Sequence, residues 1–220
     1  MIRIDDSLRA LVPRAVLGIL TCEADVFDSS DEQNAAFDAL IKTLEERYDE
    51  MAKIAQNDKV KATRLAYKAL GKDPLKYRNS AEAMLRRISK KNGLYRVNNA
   101  VDVNNMISVE SGYSLGSYDM RALTGEIVWK RSEEGTKYQG IGKDELNVGC
   151  LPALFDEQGM FGNPTSDSRR SMIHTGDDKK LLYVIYAFDA NKDLPFWLDK
   201  TAQLLTLYAN ARNIKTISVL

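Results

Sequence analysis

Residues 14–22, RAVLGILTC, form a short apolar run with the pattern of a buried strand. After the polar turn DSSDEQ the period changes. Ala36, Phe37, Leu40, Ile41, Leu44, Tyr48, Met51 and Ile54 recur at three- and four-residue spacing, which predicts one amphipathic helix over 32–56 with an acidic outer face. A second helix is expected over 60–74, closed by Gly71 and a Lys-Asp-Pro turn that cannot continue it. The third carries its own start and stop signals: Asn79 as N-cap, Glu82 three residues on as a capping box, Met84, Leu85 and Ile88 facing in, and Gly93 as the stop. From 95 onward the spacing reads as short strands and turns, with Val97, Val101 and Val103 and then EIVWKR at 126–131. The run KLLYVIYAF at 180–188 is apolar nearly throughout and predicts a strand buried on both faces. A last helix over about 194–211 shows Trp197, Thr201, Leu204, Leu205 and Tyr208, and NIKTISVL ends the chain as a strand. Strand clusters flanked by helices suggest a layered α/β or α+β fold: one domain over 1–220, with 32–56 and 60–92 helical and 95–190 as a strand-rich core.

Composition adds little to this picture, but charge changes it. The 220 residues are 44% hydrophobic and 28% charged, ordinary for a globular chain with a sizeable core. Cys22 and Cys150 are far apart and make neither a zinc-type nor a redox pair, so buried free thiols in a reducing cytosol are expected. The N-terminus has Asp5 and Asp6 where a signal peptide wants positive charge, and no run approaches the ~20 apolar residues of a membrane helix. The expectation is a soluble, cytoplasmic protein without membrane contact. The net charge is zero, yet residues 59–96 hold 12 Lys and Arg against 2 Asp and Glu. Such a block suits a polyanionic partner, or simply a solvated helical face.

The usual cofactor chemistries find no support. His174 is the one histidine and has no second His or Cys nearby, so no typical zinc site is expected. No nucleophile elbow, P-loop or dinucleotide fingerprint is present; Gly140 and Gly142 in YQGIGKDE lack the lysine-serine/threonine ending. Neither metal nor cofactor is expected. What remains is polar chemistry in two stretches. YRVNNAVDVNNMISVESGYSLGSYD at 95–119 weaves asparagines and carboxylates into apolar sequence, and unpaired burial of such groups costs on the order of 1–3 kcal/mol each. FDEQGMFGNPTSDSRRS at 155–171 combines glycines with hydroxyls, which suits close backbone approach to a ligand or a tight surface turn.

Three ordered stretches, KATRLAYKALGKDPLKYRNSAEAMLRR (61–87), VNNAVDVNNMISVESGYSLGSYD (97–119) and GMFGNPTSDSRRS (159–171), resemble the B3/B4 domain of the phenylalanyl-tRNA synthetase β subunit, and more closely its free-standing relatives. The looser resemblance runs from about residue 14 to 210 and implies a central β-sandwich flanked by helices. In the synthetase this domain is an editing module, and free-standing relatives are similar to trans-acting deacylases. The resemblance therefore implies hydrolysis of the ester of a mischarged aminoacyl-tRNA, without metal or protein nucleophile.

Matched by position, Asn104 and Asn105 fall where a Thr-Asn pair lines the family's pocket, and Glu110 matches the glutamate that follows; these three are the expected catalytic residues. Gly159 and Gly162 match the glycines of the pocket floor, and Asn163, Thr165, Ser166 and Ser168 extend the expected substrate-binding loop. Asn99 and Asp102 match a core that looks structural. The basic block would face tRNA through Arg64, Lys68, Lys72, Lys76, Arg78, Arg86 and Arg87. Two departures stand out: Gly116 replaces a histidine of the family, and Val184 replaces a glutamate that reads the substrate. They leave open a non-catalytic tRNA- or RNA-binding module, and a small-molecule hydrolase or amino-acid sensor.

Overall fold

The computed structural model describes residues 2–141, 145–189 and 192–220; Gly142 lies outside them. The chain begins with β1 (Ile2–Ile4) and α1 (Asp6–Leu11), the helix started by Asp5, whose side chain accepts from the Ser7 N–H. The apolar run at 14–22 lies in β2 (Val16–Val26), whose first five residues are all buried. The helix expected over 32–56 is two helices, α2 (Asp31–Arg47) and α3 (Met51–Gln56). The break falls at Tyr48, yet Tyr48 and Ile54 are both buried in one core with Phe37, so the apolar spacing survives the interruption. Next come α4 (Asp58–Ala69) and α5 (Ser80–Ser89). Gly71, with φ +87°, ends the α4 segment, and the Asn79 side chain accepts from the Glu82 N–H at the start of α5.

The largest departure from the sequence pattern is α6 (Asn99–Ser111), where strands were expected. Its start is marked by Asn98, which accepts from the Val101 N–H, and its end by Gly112 at φ +83°. The helix is enclosed: Asn99, Asp102 and Ser108 are as buried as Val103 and Ile107, so polar and apolar positions do not segregate and no 3.6-residue period emerges.

The remaining elements are β3 (Ser114–Asp119), β4 (Ile127–Arg131), β5 (Lys137–Gln139), β6 (Glu145–Asn147), β7 (Pro152–Asp156), β8 (Gly159–Gly162), β9 (Gly176–Ala187), α7 (Leu194–Ala209) and β10 (Arg212–Val219). Two four-stranded sheets form, in the orders β1-β4-β7-β8 and β10-β2-β9-β3, and β5 pairs with β6 separately. All pairings are antiparallel except β1 with β4. One core joins the sheets through Leu17, Ile19, Tyr118, Trp129, Leu154, Phe161, Val184 and Tyr186. A second holds α6 and α7 against the other side of β2 and β9, with Leu20, Val103, Ile107, Tyr183, Ile185 and Leu205. The last seven residues of β9 are buried on both faces, as KLLYVIYAF predicts. The result is an α+β architecture: a β-sandwich with α6 and α7 packed on one outer side and α1 and α4 against the core between the sheets, where each buried Leu, Ile or Val contributes about 1.5–3 kcal/mol.

Candidate ligand cleft

β3 is the outer strand of its sheet, and beyond its free edge lies a cleft of about 180 Å³. Ser80 and Met84 of α5, Asn104, Asn105, Val101 and Val97 on or just before α6, and Leu115 and Ser117 of β3 form one side. Ile141, Asp167, Met172 and Ile173 close the other. The walls are mostly apolar, so the few polar groups stand out. Asn104 is 7% exposed; its Nδ2 donates to Asn105 Oδ1 at 3.4 Å, while its Oδ1 is buried without a partner among the described residues. Ser80 Oγ is likewise buried without a partner. Native folds satisfy nearly all such groups, so two orphans on one cleft point to a ligand.

Asp167 is the charged residue of the cleft. Its Oδ1 accepts from the Tyr118 hydroxyl at 2.8 Å and from the Asn163 N–H at 3.4 Å, and it makes no ion pair among the described residues. Burial pushes its carboxyl up to about 7, against the smaller lowering effect of the Tyr118 hydroxyl. Tyr118 also bonds the Tyr186 hydroxyl at 2.6 Å, making a buried chain of two phenols and a carboxyl. Space for the Tyr118 phenol comes from two glycines. A Cβ at Gly116 would lie 1.9 Å from its oxygen, and one at Gly162 would lie 2.2 Å away. Gly116 thus makes room for the Tyr118 phenol, and Val184, its partner on β9, is packed in the core between the sheets.

The structure brings Asn104 and Asn105 to the cleft and keeps Glu110 away from it. Glu110 forms an ion pair with Lys200 of α7 at 2.5 Å and does not line the cleft, so the expected catalytic role is withdrawn. Asn99 and Asp102 bind backbone: Asn99 accepts from the Phe27 N–H and donates to the Asp25 and Tyr208 carbonyls, and Asp102 accepts from the Val97 N–H.

None of the six expected substrate-loop residues lines the cleft. Gly159, at φ +115°, turns the β7–β8 hairpin, and Gly162 faces Tyr118. Asn163 Oδ1 holds its own loop by accepting from the Thr165 and Ser166 N–H groups, and Ser168 Oγ accepts from the Arg170 N–H. Thr165 bonds the Tyr67 hydroxyl at 2.8 Å and, with Ser166, lines a separate cavity of about 420 Å³ beside Lys76, Arg78 and Asn147. The loop delivers Asp167 instead. Ser80 and Ser117 were not singled out from sequence, and Asp167, part of the polar 155–171 run, was not among the expected substrate-binding residues: a serine at a helix start and an aspartate within a turn-rich run carry no distinguishing local pattern.

The basic block divides by burial. Arg64 grips the fully buried Glu82 with two hydrogen bonds of 2.9 and 2.7 Å, and Arg78 and Arg86 approach the same carboxylate at 3.8 and 3.7 Å. Glu82 therefore gathers three arginines rather than closing a capping box. Lys72 is 8% exposed, donates to the Gly149 carbonyl at 2.6 Å and lies over the Tyr77 ring. It is an internal group and is removed from the expected tRNA surface. Arg87 donates to the Asn92 and Gly93 carbonyls after α5. Lys68 and Lys76 are exposed.

Among the described residues no helix is long and apolar enough to cross a membrane, and no group of three or more His, Cys, Asp or Glu is placed to hold a metal ion. No curated protein matches the chain. Among solved structures, an N-terminal fragment of the phenylalanyl-tRNA synthetase β-subunit from Pyrococcus horikoshii is similar at 13% identity and a TM-score of 0.48. That similarity covers all of this chain and 54% of the other, so the chain spans about half the length of that fragment. The B3/4 domain family matches residues 62–192, more than half of the chain and every residue that lines the cleft. The chain belongs to the B3/4 domain family.

Proposed function

We propose that the chain binds mischarged aminoacyl-tRNA and hydrolyses its ester, with the aminoacyl end in the β3-edge cleft. The observation that carries this reading is the convergence of Asn104, Asn105, Ser80, Ser117 and Asp167 on one apolar-walled cleft in a B3/4 domain. An aminoacyl ester is already activated, so positioning and polarisation suffice. In this reading the Asn105 amide and Ser117 hydroxyl donate to the ester oxygen as charge develops on it. Water adds to the carbonyl carbon, the bond to the ribose oxygen breaks, and that oxygen leaves carrying a proton from the water.

The nucleic acid would approach over Lys68, Lys76 and Arg78. Lys76 and Arg78 border the second cavity, whose wall at Thr165 and Ser166 adjoins Asp167 of the cleft, so a tRNA end could span both. The test is deacylation of a panel of charged tRNAs by the wild type and Asn105→Ala. Loss of one mischarged species with the wild type alone supports the reading. The removal of Glu110 from the cleft favours a second reading, tRNA binding without hydrolysis; that reading is supported if every ester survives while tRNA is still bound.

A further inference from the structure

Three polar oxygens of the cleft have no donor among the described residues. Asn104 Oδ1 has no donor, and the amide's orientation is set by the bond of its Nδ2 to Asn105. Ser80 Oγ has no partner, and no hydrogen bond reaches Asp167 Oδ2 among the described residues. All three can accept from N–H donors, beside the Asn105 amide and the Ser117 hydroxyl, and they are set among Met84, Val101, Leu115 and Ile173. An anion would meet the carboxylate of Asp167, and a neutral apolar group would leave all three acceptors unsatisfied.

We propose that the cleft takes the protonated nitrogen of an organic cation, an ammonium or guanidinium group, with Asp167 as counter-ion and Asn104 Oδ1 and Ser80 Oγ as further acceptors. The inference rests on the reading that the cleft holds the aminoacyl part of a ligand, which offers such a nitrogen either as its α-ammonium or on its side chain. The surroundings of Asp167 are consistent with it. Among the described residues the titratable groups facing it are phenols: Tyr118 from β3, Tyr186 from β9 and Tyr138 from β5. All three are pushed upward and stay neutral near pH 7, so none serves as a built-in counter-ion. With no cation paired to it among the described residues, burial raises the Asp167 carboxyl to about 7; a bound cation favours ionisation and drives release of a proton.

The experiment is calorimetric titration of the whole chain with norvalinol, which carries only an α-type ammonium, with N-acetylargininamide, which carries only a side-chain guanidinium, and with 2-methylpentan-1-ol, a neutral isostere of norvalinol. At least one cation binds, roughly tenfold more tightly at pH 8 than at pH 6 as the competent ionised fraction rises. Which cation binds identifies the source of the nitrogen. Asp167→Asn lowers its affinity at least tenfold and abolishes the pH dependence. If that variant fails to fold, the pH series on the wild type decides alone. The inference is overturned if neither cation binds, if 2-methylpentan-1-ol binds as tightly as norvalinol and norvalinol is the better cation, or if the affinity is independent of pH. The deacylation panel separates the two ideas. Cation binding without hydrolysis of any tRNA ester keeps the inference and removes the deacylase reading. Hydrolysis with no affinity for either cation does the reverse.

Discussion

At Gly116 and Gly162 the backbone passes so close to the Tyr118 phenol that neither position tolerates a Cβ without movement. Gly116→Ala should destabilise the fold by about 1–3 kcal/mol, the usual cost of overpacking. The physical cause is checkable by a double-mutant cycle. With Tyr118→Leu, which deletes both the oxygen and the outer ring carbons in the way, the cost of Gly116→Ala should shrink well below additivity in urea melts. Additive costs would mean that the phenol is not the obstacle. Asp167 offers a second test. Its carboxyl sits near 7 in the folded chain against an ordinary 3.8, so the folded state holds the extra proton between those values. Stability then declines as pH rises from about 4 to 7 and levels off above. Asp167→Asn removes that dependence, so the variant should gain on the wild type across this window; urea melts at pH 5 and pH 8 measure it, and a constant difference would contradict the assignment.

Elements differed in how readily the sequence disclosed them, and the reasons are physical. The last part of β9 is enclosed by the other strands and by both cores, which yields an unbroken apolar run. The start of α5 is written in a local contact, from Asn79 to the Glu82 N–H, and was legible for that reason. Helix α6 was not, because burial on nearly all sides removes the contrast on which periodicity depends; its Asn98 and Gly112 signals were present and outweighed. Of the candidate site, Asn104 and Asn105 were legible, whereas Asp167 is held at the cleft by the Tyr118 hydroxyl, 49 residues away in sequence, together with the local Asn163 turn. The Glu82 cluster ties α4 to α5 in the same long-range way. Glu82→Ala leaves Arg64 partly buried with its principal ion-pair partner gone, and a loss of about 3 kcal/mol is expected in thermal or urea melts. Full stability in that variant would mean that the three arginines are merely surface charge.

Across the whole molecule, the sandwich supplies a rigid β3, the helices supply one wall of the cleft, and the 59–96 charge excess surrounds α4 and α5. That excess overstates the surface open to a polyanion, since Lys72 is internal and Arg64 is committed to Glu82. Replacing Lys68 and Lys76 by Ala should lower the salt dependence of tRNA binding by about one unit of slope per lost phosphate contact while leaving the melting temperature within a degree or so. An unchanged slope would move the nucleic-acid surface elsewhere. Hydrolysis in the β3-edge cleft is tested by a deacylation time course over tRNAs charged with cognate, near-cognate and non-protein amino acids. At least one mischarged species should be cleared by the wild type, and Asn105→Ala should clear it roughly a hundredfold or more slowly, the cost of losing one well-placed donor, while tRNA affinity holds. Survival of every ester, or undiminished clearance by Asn105→Ala, would contradict it.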